Sequence, residues 1–393
     1  MTAAAAPGAA MCGAGAGRAG RPTLAVVGAT GAVGGVMLEI LSRHADIWGE
    51  IRLIASPRSA GRKLIVRGEE TEVVALSEEA FEDVAVAMFD VPDEVSARWA
   101  PIAVSKGAVV VDNSTAFRMD PDVPLVVPEV NAHAARVRPR GIVANPGCAT
   151  LTMIVAVGAL HSAFGLSELI ASTYEAASGA GRAGADALRA QLAAVAGTEL
   201  GTHPGDLRRA VGDGTGPFPA PVALNVVPWA GTYAPPGDTP GGEDRTGWSS
   251  AETGWSSAET GWSSAELAIR DQSRKILGLP GLRVSATCVR VPVITTHSLS
   301  VHARFENEVT VERAHEVLAN APGVVLCDDP AEGEYPTPAD AVGTDPAWVG
   351  RVRRSLDDPR ALEFFVCADN LRKGAALNMA QIAECVAAEL TAP

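Results

Sequence analysis

The stretch "TLAVVGATGAVGGVM", residues 23–37, constrains the fold more than any other segment. Its β-branched and aliphatic start reads as a buried strand, and apolar positions at helical spacing follow a glycine-rich turn. Gly28, Gly31 and Gly34 therefore lie between a strand and a helix. There, glycines permit a tight turn, close approach of a pyrophosphate and close helix-to-strand packing, while the helix N-terminus favours the anion. As a dinucleotide site the turn comprises Gly28, Thr30, Gly31, Ala32, Val33 and Gly34. The spacing is GxxGxxG rather than GxGxxG, so a turn that serves packing alone is the competing reading.

More strand-like runs follow, "EIRLIAS", "VAVAMF", "GAVVVDNS" and "GIVAN", separated by helical or loop stretches. Such alternation predicts a parallel, doubly wound α/β sheet. From about residue 148 the runs lengthen, in "SELIASTYEAASG", "PVALNVVPWAG", "LRVSATCVRVPVITTHSLSVHARFE" and "ALEFFVCAD", and predict a mixed α+β domain. The chain, at 393 residues, is long enough for two cored domains. The expected division is a disordered leader at 1–22, a nucleotide-binding domain at 23–147 and a second domain at 148–367. A loop insertion interrupts the second domain at about 235–264, and a C-terminal helix at 368–393 returns to the first.

A net charge of −14 argues against nucleic acid or an anionic membrane as partner, and no apolar run reaches the 18 residues of a membrane span. An anionic substrate would need a local cluster of Arg or Lys. The six cysteines, Cys12, Cys148, Cys288, Cys327, Cys367 and Cys385, form no CxxC pair. Neither a metal site nor a disulfide framework is expected, which suits a reducing cytoplasm. The Ala- and Gly-rich start lacks the apolar core of a signal peptide.

At the end of the second strand, NAD-preferring folds place an acidic residue for the ribose. Here "IASPRSAGRK" offers Arg58, Ser59, Arg62 and Lys63. Arginine pairs well with a phosphate, so the segment reads as NADP-binding, with a solvated basic turn as the alternative. In "GIVANPGCATLTMIVAVGAL", Cys148 follows a Pro-Gly turn and precedes a helix-like run. A helix N-terminus would lower its pKa and activate it as a nucleophile. The other cysteines fit small buried hydrophobes. "CVRVPVITTHSLSVHA" supplies Arg290 and His297, whose odd separation puts them on opposite faces unless a bend intervenes, and "ITTHS" offers one. His297 alone is a structural histidine or a general base; a cysteine partner favours the base.

In order, "GATGAVG", "SPRSAGRK", "DNSTAFRMDPDVPLVVPEVN", "NPGCAT", "SGAGRAG", "NVVPWAG", "RVPVITTHSLSV" and "DNLRKGAALN" resemble the aspartate-β-semialdehyde dehydrogenase family over about residues 23–391. The resemblance implies an NADP-binding Rossmann domain, a mixed α/β catalytic and dimerisation domain, and a homodimer or homotetramer. The implied reaction reduces L-aspartyl 4-phosphate, a small acyl phosphate, to L-aspartate 4-semialdehyde, towards lysine, methionine and threonine. Carried over by resemblance, Cys148 forms a thioester and releases phosphate, and His297 is the acid/base for collapse of the thiohemiacetal after hydride transfer from NADPH. Arg290 would hold the substrate carboxylate and Arg118 the phosphate, while Ser178, Gly179 and Asn370 would line the nicotinamide end.

The chain departs from the family at several points. Gly147 stands where the family has Asn, although the sister N-acetyl-glutamyl-phosphate reductases also read NPGC. Glu175 replaces a substrate-orienting Gln. "FDVPDEVS" adds Asp90, Asp93 and Glu94 near the cofactor turn. An acidic-x-x-Lys pair expected before "RKIL", for substrate amine and phosphate, is Ala265 and Ala268, with Glu266 and Arg270 out of register. A diverged homologue acting on another acyl group, or serving as a non-catalytic partner, is therefore the second reading. The unit TGWSSAE occurs three times from Thr246 to Glu266. Ser263 and Glu266 carry a capping-box signature for a helix, so the first two copies read as a duplicated loop insertion. Alternatively, Trp248, Trp255 and Trp262 are aromatic anchors for a partner.

Overall fold

The computed structural model describes residues 20–233 and 261–391. Nearly all of the leader and the first two repeat copies, with Trp248 and Trp255, lie outside the described residues. Seven strands form the first sheet: β1 (Leu24–Val27), β2 (Ile51–Ala55), β3 (Lys63–Val66), β4 (Glu69–Ala75), β5 (Val86–Phe89), β6 (Val109–Asp112) and β7 (Ile142–Ala144). Their order is β3-β4-β2-β1-β5-β6-β7. All pairs are parallel except β3 with β4, an antiparallel edge hairpin that strand-helix alternation did not anticipate. Every residue of β1 and β5 is buried, as expected of central strands covered on both faces.

Helix α1 (Ala32–Arg43) leaves the glycine turn directly. Gly28 has φ +96°, and a Cβ there would meet the Asp90 carbonyl oxygen at 2.0 Å. A Cβ on Gly34 would meet the Gly28 oxygen at 2.5 Å, so two of the three glycines are required for packing the turn.

The second sheet contains β8 (Leu166–Glu175), β9 (Arg283–Arg290), β10 (His297–Phe305), β11 (Val324–Leu326), β12 (Ala347–Arg354) and β13 (Ala361–Ala368), in the order β11-β12-β13-β10-β8-β9. It is mixed: β8–β9 and β11–β12 are parallel and the other pairs antiparallel. The segment "PVALNVVPWAG" is not a strand; it contributes one bridge, Val227 with Arg290. Its prolines at 221 and 228 cannot donate to a ladder.

Helix α2 (Cys148–Phe164) is buried along most of its length and packs its core against the second sheet. Helix α3 (Ser264–Leu277) begins in the third repeat copy. Ser263 Oγ accepts the Glu266 N–H and Glu266 Oε2 accepts the Ser263 N–H, completing the capping box. Helix α4 (Leu377–Leu390) places Met379, Ile382, Ala383 and Val386 in one core with β1, β2 and β5. The chain end thus packs on the first sheet. Among the described residues no helix is long and apolar enough to cross a membrane.

Candidate active site

Strand β7 is followed by Asn145-Pro146-Gly147, and Cys148 is the first residue of α2. Gly147 is the extended N-cap residue and makes no side-chain capping bond. The helix N-terminus expected for Cys148 is therefore present. The expected lowering of its pKa is not. Burial, followed by the charge of Glu175, pushes the Cys148 thiol up to about 11, against opposing pulls from Arg118 and Arg290. Although Cys148 is half-buried by surface area, desolvation of its sulfur outweighs the helix end.

Between β9 and β10 the chain reverses through Val291–Thr296, with Thr296 at φ +91°. A β-branched residue there is strained, and the turn is held by Thr296 N–H donating to Asn370 Oδ1 at 2.8 Å. This bend brings Arg290 and His297 together. A Cβ built on Gly179 would lie 2.7 Å from Arg290 Nη1 and 3.1 Å from His297 Nε2.

His297 is fully buried, with Nε2 3.1 Å from Cys148 Sγ. Its Nδ1 accepts the Ala176 N–H at 3.0 Å, so the neutral ring carries its proton on Nε2, facing sulfur. Burial first, and then Arg290, lower its pKa to about 3. The ring is neutral at ordinary pH.

Two arginines flank this pair, Arg290 buried and Arg118 half-buried. Arg118 donates through Nε to Asn145 O at 2.9 Å and through Nη2 to Asn113 O at 2.6 Å. Its Nη1 lies 3.3 Å from a Cβ built on Gly147. Lys275 secures that loop by donating to the carbonyls of Arg118, Asp120 and Val123 at 2.7–2.9 Å. Arg290 donates to Ala176 O at 2.6 Å and pairs with Glu175 Oε2 at 3.3 Å. Burial raises the Glu175 pKa, and Arg290 opposes the rise.

On the cofactor side, Ser178 and Asn370 hydrogen-bond to one another at 2.9 Å. Ser178, Thr295 and Leu371 line a cleft of about 170 Å³ together with Ala32 of the glycine turn. The first turn of α1 has no side-chain cap, so its amides are open to an anion. These residues fit a dinucleotide running from the turn to the Cys148 pocket. Arg58, exposed, and Ser59, buried, follow β2, the parallel neighbour of β1, at the same end of the sheet as Gly28. Among the described residues Arg58 has no side-chain partner.

The departures now have physical accounts. Gly147 N–H donates to Gln272 Oε1 at 2.8 Å, and a Cβ at this position would crowd both Arg118 Nη1 and Gln272. Asp90 faces the turn, with Oδ2 3.6 Å from a Cβ on Gly31; burial raises its pKa, and the hydrogen bond from Asn113 opposes the rise. Asp93 is turned aside to accept the Thr115 N–H at 2.8 Å. Glu266 spends Oε2 on the capping box and Oε1 on the Cys288 N–H, while Arg270 pairs with Asp271 at 2.7 Å. Both side chains are engaged elsewhere and do not replace the groups missing at Ala265 and Ala268.

Four contributors escaped sequence reasoning. Gln272 and the Ala176 N–H left no signal. Lys275 sits in the quoted "RKIL", and Gly374 in "NLRKGAALN"; a Cβ on Gly374 would lie 3.2 Å from Cys148 Cβ.

Residues 23–137 match a model described as semialdehyde dehydrogenase, NAD binding domain, and residues 157–253 and 252–373 match semialdehyde dehydrogenase, dimerisation domain. The chain is 44% identical to an aspartate-semialdehyde dehydrogenase of Corynebacterium melassecola, covering 92% of this chain and 98% of that one. It is 40% identical to one of Bacillus subtilis, covering 92% and 96%. The crystal structure of aspartate semialdehyde dehydrogenase II from Vibrio cholerae complexed with ASA superposes with a TM-score of 0.79 at 34% identity, covering 93% and 98%.

Proposed function

The chain belongs to the aspartate-semialdehyde dehydrogenase family, and from that premise we propose that Cys148 and His297 carry its chemistry. The reaction is the reductive dephosphorylation of L-aspartyl 4-phosphate to L-aspartate 4-semialdehyde, catalysed by a nicotinamide-dependent oxidoreductase of amino-acid biosynthesis. The 3.1 Å approach of Cys148 Sγ to His297 Nε2 is the observation that supports this assignment. A proton on Nε2 hydrogen-bonds the thiolate as sulfur attacks the acyl carbon and phosphate leaves. A nicotinamide held at Ser178, Gly179 and Asn370 would supply hydride to that carbon. The single Nε2 proton of His297 hydrogen-bonds the oxygen that gains charge, and, as that oxyanion collapses to the aldehyde and the carbon–sulfur bond breaks, it hydrogen-bonds the departing Cys148 thiolate.

Arg118, with Nη1 directed at Gly147, receives the phosphate, and Arg290 receives the substrate carboxylate as a fork. The turn Gly28, Thr30, Gly31, Ala32, Val33 and Gly34 holds the pyrophosphate, while Ser178, Gly179 and Asn370 hold the nicotinamide end. Arg58 and Ser59 beside the ribose site favour NADP over NAD, since an exposed, unpaired guanidinium suits a 2′-phosphate. Residues 23–147 with the C-terminal helix form the nucleotide-binding unit, and 148–367 the catalytic and dimerisation unit. Ile170 and Tyr174 are exposed on the outer face of β8, and the Tyr174 ring lies tilted against Phe365 with centroids 6.3 Å apart; this open sheet face suits a homodimer interface. A thiol nucleophile and scattered free cysteines suit the cytoplasm.

A diverged homologue for another acyl group is not favoured, given near-complete coverage of relatives with this activity. A coupled assay with aspartate semialdehyde, phosphate and the oxidised cofactor tests the assignment. Wild type reduces the cofactor and Cys148→Ala does not; equal rates contradict it.

A further inference from the structure

Glu175 and Arg290 sit opposite one another in the parallel register of β8 and β9, on the face turned towards Cys148. Their side chains are 7% and 8% exposed. A buried ion pair of this kind is poor evidence of stability, because desolvation of both charges offsets most of the attraction. It is also incompletely bonded. One guanidinium N–H of Arg290 donates to Ala176 O, and Nη2 lies 3.3 Å from Glu175 Oε2 as an ion pair, with no hydrogen bond between the two side chains. The Glu175 carboxylate accepts a 3.2 Å bond from Thr173 Oγ1 at Oε1 and a bond from the Cys288 thiol, which together fill two of its about four acceptor sites. Among the described residues, the other carboxylate that raises the Glu175 pKa is Glu266, already engaged at both oxygens.

We propose that Glu175 and Arg290 act together as a clamp for an α-amino acid zwitterion, Glu175 taking the α-ammonium and Arg290 the α-carboxylate of the substrate. The inference rests on the reading of the substrate as an aspartyl group, and makes Glu175 the residue that selects an amine-bearing acyl chain. The geometry is complementary. Neighbouring strands stand about 4.8 Å apart, so the two charges face outward side by side, as do the two groups on one α-carbon. Insertion of the zwitterion exchanges one buried ion pair for two, and leaves neither protein charge unpaired. With alanine at positions 265 and 268, no other unengaged carboxylate on α3 competes for the ammonium. A consequence follows for the nucleophile. The Glu175 charge disfavours the Cys148 thiolate, and an ammonium that neutralises it would favour the thiolate when the proper substrate is bound.

Steady-state kinetics of wild type, Glu175→Gln and Glu175→Asp, with aspartate semialdehyde and with succinate semialdehyde, test the clamp. Succinate semialdehyde is the same aldehyde without the amine. Wild type prefers the amine-bearing substrate, and Glu175→Gln is expected to lower that preference by about 10-fold or more, through the KM of aspartate semialdehyde. Glu175→Asp, which keeps the carboxylate, retains most of the preference. Where turnover of succinate semialdehyde is too slow to measure, its inhibition constant against aspartate semialdehyde gives the same ratio. Cofactor affinity and circular dichroism report whether each variant is folded. An unchanged preference in Glu175→Gln, or an equal loss for both substrates in a folded variant, overturns the clamp. Absence of activity in wild type would instead overturn the assignment of the reaction.

Discussion

His297 holds its proton on Nε2, 3.1 Å from Cys148 Sγ, because the Ala176 N–H occupies Nδ1. With the His297 pKa lowered to about 3, the ring does not titrate in the range where histidines usually do. The free-enzyme profile of kcat/KM against pH should therefore rise towards alkaline pH with ionisation of Cys148, and show no limb near 6.5. A limb near 6.5 that disappears in His297→Asn would contradict this.

The same ring makes a stability prediction. Its folded pKa lies below the unfolded value of 6.5, so the unfolded chain binds the extra proton first. Stability should fall as pH drops below 6.5 towards 3, and His297→Asn should reduce that slope by up to one proton. Urea midpoints across the range measure it.

Gly374 abuts the nucleophile, and a Cβ there would sit 3.2 Å from Cys148 Cβ. Gly374→Ala should displace the sulfur from Nε2 and lower kcat about 10- to 100-fold, a typical result of misplacing a reacting group. Cofactor affinity, read by fluorescence titration, should change little.

Asp90 faces the glycine turn, where a dinucleotide brings negative charge. Asp90→Asn keeps an acceptor for Asn113 and removes the ionisable group. The cofactor Kd should fall about five-fold, and the gain should shrink at high salt.

Much of this was legible in the chain. The strand, glycine turn and helix at 24–43 follow from a buried apolar run, two sterically enforced glycines and helical spacing, all local properties. Cys148 at a helix start was legible for the same reason. Its raised pKa was not, since burial and the charge of Glu175 both come from residues away from it in sequence. The convergence of Arg290 with His297 depended on a strained Thr296, held by Asn370 from 74 positions away. Gln272 illustrates the limit: its bond to Gly147 spans 125 positions, and nothing near it in the sequence marks it. The prolines in "PVALNVVPWAG" were the available warning against a strand there.

The central claim is that Cys148 carries the acyl group. Mass spectrometry of the protein incubated with aspartate semialdehyde and NADP, without phosphate, tests it most directly. The predicted result is an aspartyl increment on the peptide containing Cys148, discharged by added phosphate and absent from Cys148→Ala. No increment, or an increment on another cysteine with Cys148 unmodified, would contradict it.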